Sequence, residues 1–459
     1  MFNKRLLLRI FLVALCFSFM TGISFAGNAN ENPVVLIFQA QRNGDFLSEP
    51  GNVPVEFLRR VGRAINNILP IDQSVFKAAS VFDPGKLGDN DLLKPVNFNL
   101  LSKEQQKEFE RLFNRYASDA DVLLNDIKPG KESIFVRFAG ETRVLANIFE
   151  KFLKNEKFAG KLKDRQKFKL EHQIIPFLQT ADYITGAMVL SLSGLEFRLR
   201  AHSIEGNLAN SQNNHQLSIG NFINPESLMA FAQIHPVENP DDIIKQLNTM
   251  PQTAALVKTI ASAGLDLKKD LISNSARESI FYLNLNPTGE NGIPDARFVA
   301  PVPDITKLKT NLKKLEKLCS QVGVFVKKFK GKKPTIRLSY FMFPQYGIFA
   351  GLQENFLVLA TSKENLLEEM EFLAKVKAGK TKGEQIQANL KSYWRIGFEG
   401  FNLQLQKFLQ SPVMVKQGIP PIPNLTFMED LKDLKIFTRL SPEKLDFTII
   451  LPIKEKSYN

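Results

Sequence analysis

Four histidines, His172, His202, His215 and His235, are spread through the chain. None stands at the His-x-x-x-His or Cys-His spacing that would seat zinc. No Gly-x-Ser-x-Gly elbow is present to raise a serine nucleophile. Cys319 lies on the apolar side of an expected helix, where a thiol is a small hydrophobe rather than a nucleophile. Asp119, Asp121 and Asp126 suggest a calcium loop, but Leu123 and Leu124 interrupt the alternation of oxygen ligands. The Gly88-Asp89-Asn90-Asp91 loop is the weaker alternative for a metal. The segment Ala374-Lys-Val-Lys-Ala-Gly379-Lys380-Thr381 fits a loosened phosphate loop, yet a helix leads into it where a strand is required, and Gly379 reads as that helix's stop. No catalytic, cofactor or metal residue is assigned and no cofactor is expected. A non-enzymatic role is favoured, although carboxylates can be paired for acid–base work by folding alone.

Two basic runs remain. Lys151 to Lys169 carries eight Lys and Arg against Glu156 and Asp164, and Lys307 to Lys333 carries ten Lys against Glu316. One reading is a solvated helix face followed by a lysine-blunted edge strand. The other is contact with anionic lipid head groups or an envelope polymer through Lys307, Lys309, Lys313, Lys314, Lys317, Lys327, Lys328, Lys330, Lys332 and Lys333. On that reading Ile305, Leu308, Leu312, Leu315 and Leu318 are buried, and the contact is electrostatic, without insertion. Few aromatics interleave with these lysines, so nucleic acid is not an expected partner.

The elements that carry these residues begin with a leader. Lys4, Arg5 and Arg9 flank an apolar run, Ile10 to Met20, and Ser24 and Ala26 are small residues before an expected cut at Ala26/Gly27. The chain's formal charge of +13 becomes +10 once those three cations leave. The expected location is the periplasm or the exterior, with no membrane span in the mature chain. Phenylalanine (38, against seven Tyr and one Trp) favours dry packing.

Hydrophobic periodicity gives a strand at 34–38, a helix from Pro54, a capped helix from Ser102, a strand at 134–138, a helix over 144–153, and a hairpin at 187–199 turning at Ser193-Gly194. A polar stretch, 206–221, reads as a linker or long loop. The pattern then restarts with an opening strand at 228–234 and a helix at 241–250. Glu278-Ser-Ile-Phe281 echoes Glu132-Ser-Ile-Phe135, and Lys435 to Phe447 echoes the hairpin Met188 to Phe197. Inserted between are a helix at 304–319, strands at 335–341, 346–351 and 356–360, a helix capped by Thr361 and Glu364, and a strand at 394–398. The expected fold is α+β: two related modules, 27–205 and 222–459, of antiparallel or mixed sheet with helices packed on one face.

The opening strand of the second module, Gly264-Leu-Asp-Leu-Lys-Lys-Asp270-Leu, the step from Gly351 to Leu357-Val-Leu-Ala-Thr-Ser362 and the duplicated plan resemble the domain-of-unknown-function 3352 family of bacterial exported proteins. The resemblance covers mainly 222–450, and implies export and fold but no site residues. Three functions stay open: a binding or structural module of the envelope, whose partner is an anionic membrane surface, a polymer or another envelope protein; a carrier of lipid or another apolar ligand; and a hydrolase without a recognisable motif.

Overall fold

A computed structural model describes residues 34–47, 53–68, 75–81, 95–121, 123, 127, 130–154, 167, 170–171, 175–203, 217–235, 241, 244, 251–272, 275–288, 293–330, 333–343, 346–386, 390–411, 414–415 and 430–454. The expected leader 1–26, the Gly88–Asp91 loop, Asp126, His172, His215, Lys332 and most of the 151–169 run lie outside them. Among the described residues no helix is long and apolar enough to cross a membrane.

The chain forms two compact units, Met1–Asn210 with Thr438–Asn459, and Ser211–Phe437. In chain order the first contributes β1 (Val34–Asn43), α1 (Val53–Ile68), β2 (Phe76–Val81), β3 (Pro95–Asn97), α2 (Lys103–Asp121), β4 (Ser133–Glu141), α3 (Thr142–Lys154), α4 (Ile175–Thr180), β5 (Tyr183–Ser191) and β6 (Gly194–His202). The second contributes β7 (Met229–Ile234), α5 (Pro251–Ser262), β8 (Glu278–Thr288), β9 (Ile293–Pro301), α6 (Ile305–Gln321), β10 (Val324–Phe329), β11 (Thr335–Tyr340), β12 (Gly347–Gln353), β13 (Phe356–Ala360), α7 (Lys363–Lys377), β14 (Leu390–Ile396) and α8 (Phe401–Leu409). The strand β15 (Leu434–Leu440) leads the chain back, and β16 (Lys444–Pro452) closes the first unit. The fold is therefore mixed α+β and sheet-dominated.

In the first unit the strand order is β16-β6-β5-β4-β1-β2-β3, with antiparallel pairing throughout. Helices lie on both faces of this sheet, not on one as expected. On β4, Ile134 and Ala139 are five residues apart and so point to opposite faces. Ala139 and its partner Ile37 pack with Phe109, Leu112 and Tyr116 of α2. Ile134 meets α1 at Gly62, where a Cβ would come within 3.0 Å of the Ile134 side chain. The reason is that β4 is apolar on both faces, with Ile134, Val136, Phe138 and Ala139 all buried. The expected capping box is present at α2: Ser102 Oγ accepts from the Gln105 amide at 3.2 Å, and Gln105 Oε1 accepts from the Ser102 amide at 3.0 Å.

Two expectations at the C-terminal end are corrected. The segment 438–459 belongs with the first unit, since β16 pairs with β6 from Lys444↔His202 to Pro452↔Gly194. The hairpin of β15 and β16 therefore does not stand to the second unit as β5–β6 stands to the first: β5 lies beside β4, whereas β8 has β9 in that place. The β5–β6 turn is Leu192-Ser193, one residue earlier than expected, with Gly194 at φ +140° in the first β6 position. Of the expected linker, Leu217–Asn221 is structured: Ile219 and Gly220 are buried, and the Ile219 amide donates to the buried Glu278 at 2.7 Å.

In the second unit the order is β10-β11-β12-β13-β9-β8-β7-β14, again antiparallel. β10 is the terminal strand of this order and carries Lys327 and Lys328, a way of blunting an edge. One face of the sheet is closed by α7: Val358, Leu366 and Met370 are buried, and a Cβ on Gly351 would meet the Met370 sulfur at 2.8 Å. Ser362, not Thr361, caps α7 by accepting from the Asn365 amide at 3.1 Å. Thr361 is already engaged with Pro294 and Ala296 across on β9. The helix ends at Gly379, whose φ of +68° is the left-handed stop read from the sequence, so the phosphate-loop pattern is a helix terminus.

Candidate functional site

The face of the second unit under α7 is polar where β8, β9 and β14 meet it. Arg297, 9% exposed, is directed by the β9 register onto the same face as Asp295. Its guanidinium donates to Asp295 at 2.8–3.1 Å, to Glu368 at 2.9 Å and to Glu369 at 3.3 Å. Three carboxylates thus share one cation. Glu369 is fully buried and its Oε1 has no hydrogen-bond partner. Burial pushes its carboxyl up to about 7, against the pull of Arg297 and with the repulsion of Asp295 and Glu368. Nearby, the buried Tyr282 hydroxyl donates to Phe222 O at 2.7 Å, and Arg395 donates to Ser227 O at 2.7 Å.

An open cleft of about 580 Å³ lies over this cluster, lined by Asn224, Glu226, Asn284, Arg297, Glu368 and Lys375 among others. Most of these polar groups are committed to the fold. Asn284 accepts from the Leu228 amide at 2.7 Å and donates to Asp295 at 3.0 Å, while Gln404 of α8 accepts from the Leu285 amide at 3.0 Å. The cleft thus brings carboxylates together by folding, chiefly as a clamp between α7 and the sheet.

The lysines of the second run divide between α6 and the edge strand. Lys309 is exposed; Lys314 lies 3.9 Å from Asp270, Lys317 donates to Ser262 O at 3.3 Å, and Lys307 donates to Lys269 O. Lys327 stands over the Phe329 ring at 5.4 Å, Lys328 pairs with Glu316 at 2.5 Å, Lys330 is exposed and Lys333 half-buried. The side chain of Lys313, like all of Lys332, is outside the described residues. Several of these charges are therefore locally paired. The apolar stripe of α6 is only half-buried at Ile305, Leu308, Leu315 and Leu318, which departs from the expected full burial.

A feature missed in the sequence lies beside them. The turn joining β11 to β12 exposes Phe341 (53%), Met342 (59%) and Phe343 (53%), with Tyr340 and Tyr346 also exposed. Phe325 on β10 is 61% exposed and shares a face with Lys327 two residues on. The signal was the apolar run Phe341-Met-Phe343 followed by Pro344, which belongs to a turn rather than to a strand end. Contiguous exposed apolar side chains rimmed by charge mark an interaction surface.

The two described histidines, His202 and His235, are tied into the sheet. His202 lies 3.0 Å from Thr185 Oγ1 and stacks on Tyr183, and His235 lies 2.9 Å from Ser279 Oγ, with burial holding its imidazole below the usual range. Among the described residues no three metal-ligating side chains form a group. No family model and no curated protein matches the chain. A solved structure, crystal form I of TP0453, is similar over 48% of this chain and 72% of its own, at 8% identity and a TM-score of 0.23, a likeness that carries no argument.

Proposed function

We propose that this is an exported, non-enzymatic envelope protein whose second unit docks on anionic lipid through the edge formed by β10, the β11–β12 turn and α6. The observation that carries the reading is the exposure of Phe325, Phe341, Met342 and Phe343, with the exposed Lys327 two residues from Phe325 on β10. Lysines near an anionic surface contribute about 1 kcal/mol each. A fully buried large apolar side chain contributes about 1.5–3 kcal/mol. The apolar turn is thus comparable with the charges, and the contact includes shallow insertion as well as electrostatics. The export part rests on the leader pattern and on the resemblance to bacterial exported proteins. The duplication is supported by one of its two echoes: Ser133–Phe135 lies in β4, which pairs with β1, and Glu278–Phe281 lies in β8, which pairs with β7, whereas the hairpin echo at 435–447 has no such counterpart.

The test is co-sedimentation with phosphatidylglycerol-containing and pure phosphatidylcholine vesicles at low and high salt. Binding confined to anionic vesicles, weakened by salt and lost on joint Phe341→Ser and Met342→Ser substitution, supports the reading. Equal binding to neutral vesicles, or none to either, refutes it.

A further inference from the structure

The cleft over the Arg297 cluster keeps polar groups that the fold does not use. Its walls are the turn at Asn224–Ser227, parts of β8 and β9, the side of α7 with Thr381 and Lys382 just beyond it, and Gln404 of α8. Part of the lining is spent. Arg297 serves Asp295, Glu368 and Glu369, Asn284 serves the Leu228 amide and Asp295, and Glu371 pairs with Lys375 at 2.7 Å. The rest is not. Among the described residues the side chains of Glu226, Asn286, Thr381 and Lys382 make no hydrogen bond or ion pair. Asn224 and Gln404 each use only the carboxamide oxygen, accepting at 3.0 Å from the Glu226 amide and at 3.0 Å from the Leu285 amide, so both NH2 groups are unspent.

These unspent groups say what fits there. The carboxamide NH2 groups and the Lys382 ammonium donate, the Glu226 carboxylate accepts, and Asn286 and Thr381 do both. Arg297 already faces an excess of carboxylate, which disfavours an anion. The exposed and unpaired Glu226 and Lys382 are opposite in sign, so they favour neither ion. Pro225 and Phe372 are the apolar part of the lining, too little for an acyl chain or a large apolar side chain. The strands β8 and β9 have neighbours on both sides, so no edge here is open to a peptide backbone. An uncharged ligand whose polar groups each donate and accept matches this set, and a hydroxyl does both. The cleft's volume of about 580 Å³ lies within the range of small-ligand sites, about 300–1,000 Å³. We propose that the cleft holds a short neutral saccharide, its hydroxyls exchanging hydrogen bonds with Asn224, Glu226, Asn286, Thr381, Lys382 and Gln404, and the C–H side of one ring lying on the half-buried Phe372. This site is separate from the lipid-docking reading and does not depend on it.

The full-length protein is titrated by calorimetry with neutral trisaccharides (of glucose in α and β linkage, and of N-acetylglucosamine), with an acidic trimer of galacturonate and with a cationic trimer of glucosamine. The proposal expects saturable binding of a neutral trimer, tighter than either charged one and equal at low and high salt. Asn286→Ala and Lys382→Ala, both at exposed positions, should each weaken it about three- to tenfold. Glu226→Gln keeps an acceptor and loses the charge, so it should retain binding that Glu226→Ala weakens. The comparison of neutral with charged trimers uses the unaltered protein and so does not depend on any variant folding. No heat from any neutral trimer at millimolar concentration overturns the proposal. So does tighter, salt-sensitive binding of a charged trimer, or neutral binding that neither Asn286→Ala nor Lys382→Ala changes. Joint Phe341→Ser and Met342→Ser substitution should leave this titration unchanged, so failure of vesicle docking and failure of saccharide binding are separately visible.

Discussion

Glu369→Gln removes a charge from a place where the fold holds that charge poorly. Glu369 is fully buried, its Oε2 receives one long bond of 3.3 Å from Arg297, and its Oε1 receives none. Arg297 spends most of its donors on Asp295 and Glu368, so the cluster has more carboxylate than cation. With the carboxyl raised from 4.5 to about 7, the folded protein keeps a proton between those values that the unfolded chain has lost. Stability then falls as pH rises through this window, and is fully present only below the unfolded value. At about 1.4 kcal/mol per pH unit the loss integrates to about 3 kcal/mol, complete just above pH 7. Glutamine keeps the volume and carries no charge, so the variant should lack this slope. Urea unfolding followed by Trp394 emission reads the second unit specifically. The stability of the wild type relative to Glu369→Gln should drop by about 2–3 kcal/mol between pH 5 and pH 8. Parallel pH profiles for the two proteins would refute the reasoning, because they would mean Glu369 stays ionised in the fold.

Two further outcomes are expected. In the first unit, Gly186→Ala places a Cβ 1.9 Å from the Phe138 ring in the middle of β5; overpacking of this kind costs about 1–3 kcal/mol, read as a lower urea midpoint by circular dichroism, and partly restored by adding Phe138→Leu. N-terminal sequencing of the protein from an envelope fraction should begin at Gly27, and an intact Met1 there would contradict cleavage after Ala26.

The sequence by itself determined what depends on neighbours within a few residues. The Ser102–Gln105 capping box, the stop at Gly379, the helix ending at Ile68 and the strand carrying Ile134 to Phe138 follow from spacing and local hydrogen bonding, and all stand in the structure. Where a residue had two local uses, the choice fell to a distant partner: Thr361 serves β9, leaving the α7 cap to Ser362. The helix α5 lay in a stretch with little periodic signal, and the expected helix at 241–250 falls outside the described residues apart from Asp241 and Ile244. Only tertiary structure could decide which strand β16 joins, because register is set by partners more than two hundred residues away along the chain. The same holds for the candidate sites. Asn224, Asn286, Lys382 and Gln404 stand far apart in the chain and line one cleft only when the second unit folds. Asp295, Arg297, Glu368 and Glu369 become one cluster only when α7 lies on β9. Periodicity marks that a side chain is apolar and which way it alternates, but whether anything covers it is fixed by packing, and that is why the lysines were legible and the exposed apolar turn was not.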